Sequence, residues 1–322
     1  MTAARTTADR DRLRLLTRVA RLYHEKGVRQ PEIAAQLNLS QPRVSRLLKE
    51  AVERGIVRTV VIPPTGVHAD VEQALAEKYA LRDVVVVDVE SGSGDVTNAL
   101  GSGAAAYLDT TLIGGDVIGV SSWSATLLAA VQVMRPKRTQ VADTVVQVVG
   151  GVGSPEVQMQ ATRLTGRLAE LTGADPVFIP SPGLVGSPAL QQALMEDPGV
   201  RAVHDLWSQL TVLLVGIGTL EPSPLLRRSG NSLGADEQED LRRAGAVGDV
   251  CLRYFDGAGA AVESGFDQRI VGIDRADLLR VPRRIGVAGG RDKAEAIRAA
   301  VLGGWVNILI TDLGVADQLV HD

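Results

Sequence analysis

The feature that most constrains this chain is a set of short apolar runs, Val84–Val87, Val117–Val120, Val145–Val148, Leu213–Gly216, Ile285–Ala288 and Ile308–Thr311, separated by stretches of helical periodicity. Gly, Asp or Ser stands at or just after the end of each run. Runs that are apolar at nearly every position, rather than at alternate ones, are buried on both faces, which points to a parallel sheet covered by helices on both sides. The expected fold class is therefore α/β, with a Rossmann-like, mostly parallel sheet. Only 3% aromatic residues beside 34 Gly suit close helix-on-sheet packing and disfavour a β-sandwich.

At 322 residues the chain exceeds what one core usually fills. Pro63-Pro64-Thr65-Gly66 marks the division, because two prolines bar both helix and ladder from continuing. The expected domains are 1–64 and 65–322. Val71, Leu75 and Tyr79 fall at helical spacing and predict a connecting helix over 67–80, the expected link between protomers.

Residues 1–64 read as a winged helix-turn-helix domain. Leu13, Leu16, Val19, Ala20 and Tyr23 predict a first amphipathic helix from about Ala8 to Lys26, stopped by Gly27. Gln30-Pro31 opens a short second helix with Ile33, Ala34 and Leu37 on one face, and Asn38-Leu39 makes the turn. Ser40 is a suitable N-cap for a third helix whose inward stripe is Val44, Leu47, Leu48 and Val52. The alternating run Ile56 to Ile62 predicts a strand, the wing. Short helix, tight turn and a second helix with a polar N-terminal end form the layout that enters a major groove. The candidate DNA contacts are Gln30, Ser40, Gln41, Arg43, Ser45, Arg46 and Lys49, with Gln41 and Arg43 as base readers, because Gln and Arg can meet base edges bidentately.

Charge agrees with that division. Residues 1–62 hold 13 Lys+Arg against 6 Asp+Glu, a charge of +7, so the remainder carries −11 within the total of −4. A basic head suits a phosphate backbone. The single cysteine, Cys251, cannot form an internal disulfide, and its neighbours Val250 and Leu252 mark it as a small buried hydrophobe. No leader-like segment opens the chain and no apolar run reaches the roughly 18 residues of a membrane span, so a soluble cytoplasmic protein is expected.

In doubly wound sheets ligands sit beyond the carboxyl ends of strands. There the sequence places Ser121, Ser122, Ser124 and Thr126 ahead of a helix from about Leu127, a set of hydroxyls at a positive helix end suited to a phosphate. Gly150-Gly151, Gly216-Ile217-Gly218 and Gly289-Gly290 allow close backbone approach, and Lys293 can meet a phosphate as a point charge. Asp249 and Arg269 are candidates for sugar hydroxyls or a second acid group. The four His, at 24, 68, 204 and 321, lie outside the expected strand-end loops, and no acid/base set, metal site or cofactor motif stands out.

Ile33-Ala34, Leu37 and Leu39-Ser40-Gln41-Pro42-Arg43-Val44-Ser45-Arg46-Leu47-Leu48 together resemble the head of the SorC/DeoR-type sugar-responsive regulators. The body agrees in order at Gly119-Val120-Ser121, Val145–Gly151, Gly216–Gly218, Gly245–Asp249 and Gly286–Gly290. The resemblance implies double-stranded operator DNA and a phosphorylated sugar effector as partners, and a working dimer or tetramer. It also implies that the loop Ser121 to Thr126, with Lys293, holds the phosphate. Two departures matter: Val149 stands where some relatives carry Lys or Arg, so it cannot form an imine, and Trp123-Ser124-Ala125 replaces a stretch often containing Gly. The rival readings are a sugar-phosphate isomerase-like enzyme with an accessory nucleic-acid-binding domain, since fold does not decide function, and a head that binds another protein.

Overall fold

The computed structural model describes residues 2–57, 64, 66–89, 96–151, 155–228 and 233–322. The chain separates into two compact units, Met1–Pro63 and Pro64–Asp322.

In the head, α1 (Thr2–Ala20) continues into a wide π-type turn (Arg21–Glu25), followed by α2 (Gln30–Gln36) and α3 (Gln41–Glu53). Leu16, Val19 and Ala20 of α1 meet Ile33 and Ala34 of α2 and Val44, Leu47, Leu48 and Ala51 of α3 in one small core. Three expected core positions differ, the first being Leu13, which is 38% exposed on α1. Within the π turn Leu22 is buried and Tyr23 is exposed. On α3, Val52 is 54% exposed and the small Ala51 fills the interior, because the helix faces its partner one residue earlier. Asn38 takes a φ of 52° in the α2–α3 turn, a left-handed conformation that Asn tolerates. The wing expected from Ile56 to Ile62 falls mainly on residues 58–62, outside the described residues. Ile56 and Val57 pack against the head's core.

The body begins with α4 (Ala69–Tyr79), whose Leu75 is buried in the body's own core, so its apolar side is used within the chain. Then follow β1 (Asp83–Val87), α5 (Val96–Thr111), β2 (Asp116–Val120), α6 (Ala125–Val133), β3 (Ala142–Gln147), α7 (Pro155–Thr172) and β4 (Asp175–Val177). Next come α8 (Pro188–Glu196), α9 (Pro198–Trp207), β5 (Val212–Val215), β6 (Gly218–Thr219), α10 (Pro224–Arg228), α11 (Ala235–Arg243), β7 (Ala246–Val250) and β8 (Arg253–Asp256). The chain closes with α12 (Arg275–Arg280), β9 (Arg283–Val287), α13 (Ala294–Leu302), β10 (Ile308–Asp312) and α14 (Leu313–His321).

Seven strands form one sheet in the order β1-β10-β9-β5-β2-β3-β4, every neighbouring pair parallel. Burial explains the apolar runs: Leu213 and Val215 enter the core on one face, Val212 and Leu214 the core on the other. From β2 the chain winds outward through β3 and β4, then returns to β5 and winds the opposite way through β9 and β10. The carboxyl ends of β2 and β5 are therefore the topological switch point, where doubly wound sheets open a crevice.

A second, antiparallel sheet, β6-β7-β8, was not foreseen from the sequence. It packs on α13 through an unusually close approach. A Cβ on Gly259, which has a φ of +80°, would fall 2.3 Å from the Gly303 nitrogen and 2.4 Å from the Ala299 carbonyl oxygen. Trp305 Nε1 donates to the Gly259 carbonyl at 2.9 Å. Gly259→Ala must therefore strain the backbone by about 1–2 kcal/mol and overpack by a further ~1–3 kcal/mol. A urea denaturation midpoint within error of the unmutated protein would show that the small sheet does not rely on this contact.

Candidate functional site

At the switch point lies a cavity of about 300 Å³, at the small end of ligand-site volumes. Its walls come from consecutive strand ends. Ser121 and Ser124 follow β2, Gly216 and Gly218 follow β5, and Ala288 and Gly289 follow β9. Asp249, Cys251 and Leu252 come from the β7–β8 hairpin, Thr97 and Leu100 from α5, and Lys293 from the short turn before α13.

The hydroxyl loop is ordered by its own bonds. Ser124 caps α6, its Oγ accepting from the Leu127 N–H at 3.3 Å. Thr126 Oγ1 donates to the Val287 carbonyl at 3.3 Å and stands 2.7 Å from Ser124 Oγ. With the Thr126 proton so placed, Ser124 donates to Thr126. The N–H groups of Ala125 and Thr126 belong to the first-turn donors that a helix leaves without intrahelical carbonyls, at the positive end of α6.

Opposite stand a buried carboxyl, Asp249, and a half-buried ammonium, Lys293. Asp249 has its carboxyl pKa pushed up to about 6, chiefly by burial, with the Leu252 N–H and Lys293 acting in the other direction. Burial likewise lowers the Lys293 pKa, and the Asp249 carboxylate offsets part of that. Lys293 Nζ donates to the Ile217 carbonyl at 2.9 Å, and Asp249 Oδ2 accepts from the Leu252 N–H at 2.9 Å. Cys251 and Leu252 have φ of 56° and 65°, the pair of positive values a tight two-residue hairpin needs, here in residues that pay no attention to the usual Asn-Gly preference. Burial also pushes the Cys251 thiol up to about 12, so it stays protonated.

Of the residues expected at the effector site, Ser121, Ser124, Thr126, Gly216, Gly218, Asp249 and Lys293 come together on the cavity walls. Ser122, Gly150, Gly151 and Arg269 do not line it. Ser122 is 1% exposed and points into the protein. Gly150 is pressed against Pro182, where a Cβ would meet the carbonyl oxygen at 2.3 Å, and Gly151 lies against the Gln147 amide. Arg269 is the last residue of a short 3-10 turn and is held by Glu237 of α11 and the Phe266 ring. Thr97, Glu221, Cys251 and Leu252 were missed as wall residues. Their only signals, a helix start and a hairpin without Asn or Gly, are too weak to read. His68 stands at the start of α4, outside the strand-end loops, with its Nε2 2.8 Å from Asp88, directly after β1.

On the head, Ser40, Gln41, Arg43, Ser45, Arg46 and Lys49 are exposed along α3 and its start, while Gln30 is half-buried at the first residue of α2. Ser40 occupies the N-cap position but its hydroxyl makes no capping bond. Arg46 bonds the Pro42 carbonyl of its own helix, and Lys49 lies 3.9 Å from Glu53.

A helix-turn-helix head joined to a doubly wound body with a switch-point cavity is the architecture of a ligand-responsive transcription regulator. Residues 64–321 match the family of sugar-binding domains called Sugar-bind, and residues 4–61 match a helix-turn-helix domain family. The chain is 33% identical to the deoxyribonucleoside regulator of Bacillus subtilis, over 98% of this chain and 99% of that protein. It is 30% identical to the sorbitol operon regulator of Klebsiella pneumoniae, over 96% and 98%. The crystal structure of full-length SorC from Klebsiella pneumoniae superposes with a TM-score of 0.72 at 28% identity, covering 96% of this chain and 99% of that one. The chain belongs to the SorC/DeoR-type family of sugar-binding transcriptional regulators. Among the described residues no helix is long and apolar enough to cross a membrane.

The buried carboxyl sets a pH dependence. Because its folded pKa of about 6 exceeds the ordinary 3.8, the folded state holds the proton more tightly. The resulting stabilisation is complete below pH about 4 and is lost as pH rises through about 6, a change of order 3 kcal/mol. Thermal unfolding of Asp249→Asn between pH 4 and 7 should lack this decline; an unchanged profile would assign the proton to another group.

Proposed function

We propose that this chain binds operator DNA through residues 1–64 and that a phosphorylated sugar, bound in the body of residues 65–322, controls that binding. The observation carrying the reading is the convergence of the α6 N-terminus, the Ser124 and Thr126 hydroxyls and Lys293 on one switch-point cavity. A helix N-terminus and a lysine are suited to a phosphate, and Asp249 is suited to accept from a sugar hydroxyl. The names of the relatives, regulators of sorbitol and deoxyribonucleoside genes, support a carbohydrate operon as the target. A single head contacts few base pairs, so a dimer or tetramer reading paired half-sites is the working form.

One observation favours the isomerase-like rival: Asp249, with a pKa near 6, faces the same cavity as Lys293, a setting suited to proton transfer. The helix-turn-helix head carried by the same chain, and the relatives' names as regulators, weigh against it. Sensing is the better reading. Turnover of sugar phosphates by the purified protein at isomerase rates would reverse it.

A thermal-shift screen with phosphorylated sugars tests the effector class, since a ligand at about 100 times its Kd stabilises the folded body by about 2.7 kcal/mol. With the sugar identified, calorimetry should show Lys293→Ala losing most affinity for the doubly ionised phosphate and less below pH about 6, where the phosphate takes up its second proton. Ser124→Ala should cost about 1 kcal/mol with little pH dependence. Unchanged affinity in both variants would place the phosphate elsewhere.

For the head, Arg43→Ala should lose about 1–3 kcal/mol and relax base preference if it reads a guanine. Lys49→Ala should weaken all sequences alike and flatten the salt dependence. Gel shifts over a panel of operator variants separate the two; unaltered base preference in Arg43→Ala would move the reading residues.

A further inference from the structure

The head's positive charge is not concentrated on α3. Of the 13 Lys and Arg in residues 1–62, seven lie within residues 1–26. Arg10, Arg14, Arg18 and Arg21 recur at intervals of four, four and three, so they share one side of α1 and the turn continuing it. Leu16, Val19 and Ala20 occupy the opposite side and face the head's core. With Lys26 and Leu22 the four arginines border a groove of about 610 Å³.

Like charges at this spacing repel and weaken a helix. Local acids relieve only part of it: Asp11 stands 3.4 Å from Arg14 and Glu25 stands 2.8 Å from Arg21. Among the described residues no carboxylate lies within 4.0 Å of Arg10 or Arg18. The stripe is arginine throughout, the side chain whose planar fork fits phosphate oxygens. From Arg10 to Arg21 the helix rises about 16 Å, and each DNA strand offers a phosphate about every 3.4 Å of axis. The repeat of charge suits a polyanion that is itself periodic.

We propose that this groove is a second DNA-contact surface, gripping phosphodiester backbone outside the base pairs read by α3. The proposal rests on the DNA-binding reading above. It makes α1 a contributor to affinity and to salt dependence, with no part in choosing the sequence.

The test uses the full chain and a fluorescent duplex of arbitrary sequence, about 30 bp long, titrated by anisotropy between about 50 and 200 mM salt. Combined Arg14→Gln, Arg18→Gln and Arg21→Gln should lower the slope of log affinity against log salt by about 2.7, at roughly 0.9 per lost phosphate contact. The corresponding three Arg→Lys changes should keep most of the slope, and the single Arg18→Gln should lower it by about 0.9. A wild-type slope in both Gln variants overturns the groove alone, because the unmutated chain binds duplex in the same assay. Failure of the unmutated chain to bind any duplex removes the DNA reading and this proposal with it. Unchanged duplex binding with an altered oligomeric mass overturns the proposal in favour of a protein-docking groove.

Discussion

The body's site depends on a carboxylate with almost no water around it. Asp249 presses on the backbone of Gly218, where a Cβ would fall 2.0 Å from its Oδ1, so no other residue type fits at 218 without displacing it. Its second oxygen holds the Leu252 N–H and with it the hairpin between β7 and β8. From the α13 side, Lys293 bonds the Ile217 carbonyl. The short connection from β5 into β6 is thus held by both groups, and the cavity takes its shape from that clamp.

Burial outweighs mutual attraction in this pair. If Asp249 and Lys293 fully compensated one another, the acid would be lowered and the base raised; instead the acid is raised and the base lowered. Each ion is therefore underpaid by its surroundings. An anion brought against Lys293 would favour its charged form, and a hydroxyl donated to Asp249 would favour the carboxylate. A ligand carrying both features relieves a cost already present in the protein. A purely apolar ligand leaves it standing.

How much of this was legible depends on what each residue had to satisfy. The six apolar runs announced parallel strands because two-sided burial removes polar positions, and all six are strands of the large sheet. β4 was hidden by Pro176, tolerable only because this strand is at the sheet's edge. The β6-β7-β8 sheet was hidden because its turn uses Cys251 and Leu252 at positive φ, held by tertiary burial rather than by local preference. At the site, Ser121, Ser124 and Lys293 were readable from their place after strands. Ser122 was not separable from them: it follows the same strand, yet its side chain turns inward, a difference of backbone direction that residue type does not encode. Arg269 failed for a related reason, since only the fold reveals that Glu237 claims it.

The head's two exposed helix surfaces differ in residue chemistry. Along α3 the exposed set Gln41, Arg43, Ser45, Arg46 and Lys49 mixes amide, hydroxyl and cation, the mixture needed to distinguish base edges. The outer side of α1 repeats a single cation, which carries no such information. Arg12 belongs to neither set: it forms a two-pronged bond to Glu50 of α3 and fixes one helix against the other. Arg12 stays exposed in this pairing, while Glu50 is largely covered and also meets Arg54 of its own helix. A chain in which affinity and base choice reside on different helices can alter one with little change to the other, provided the α1–α3 joint stays rigid. Under the proposed reading, an effector bound in the body can change DNA affinity only by as much as the ligand itself prefers one state of the chain over another.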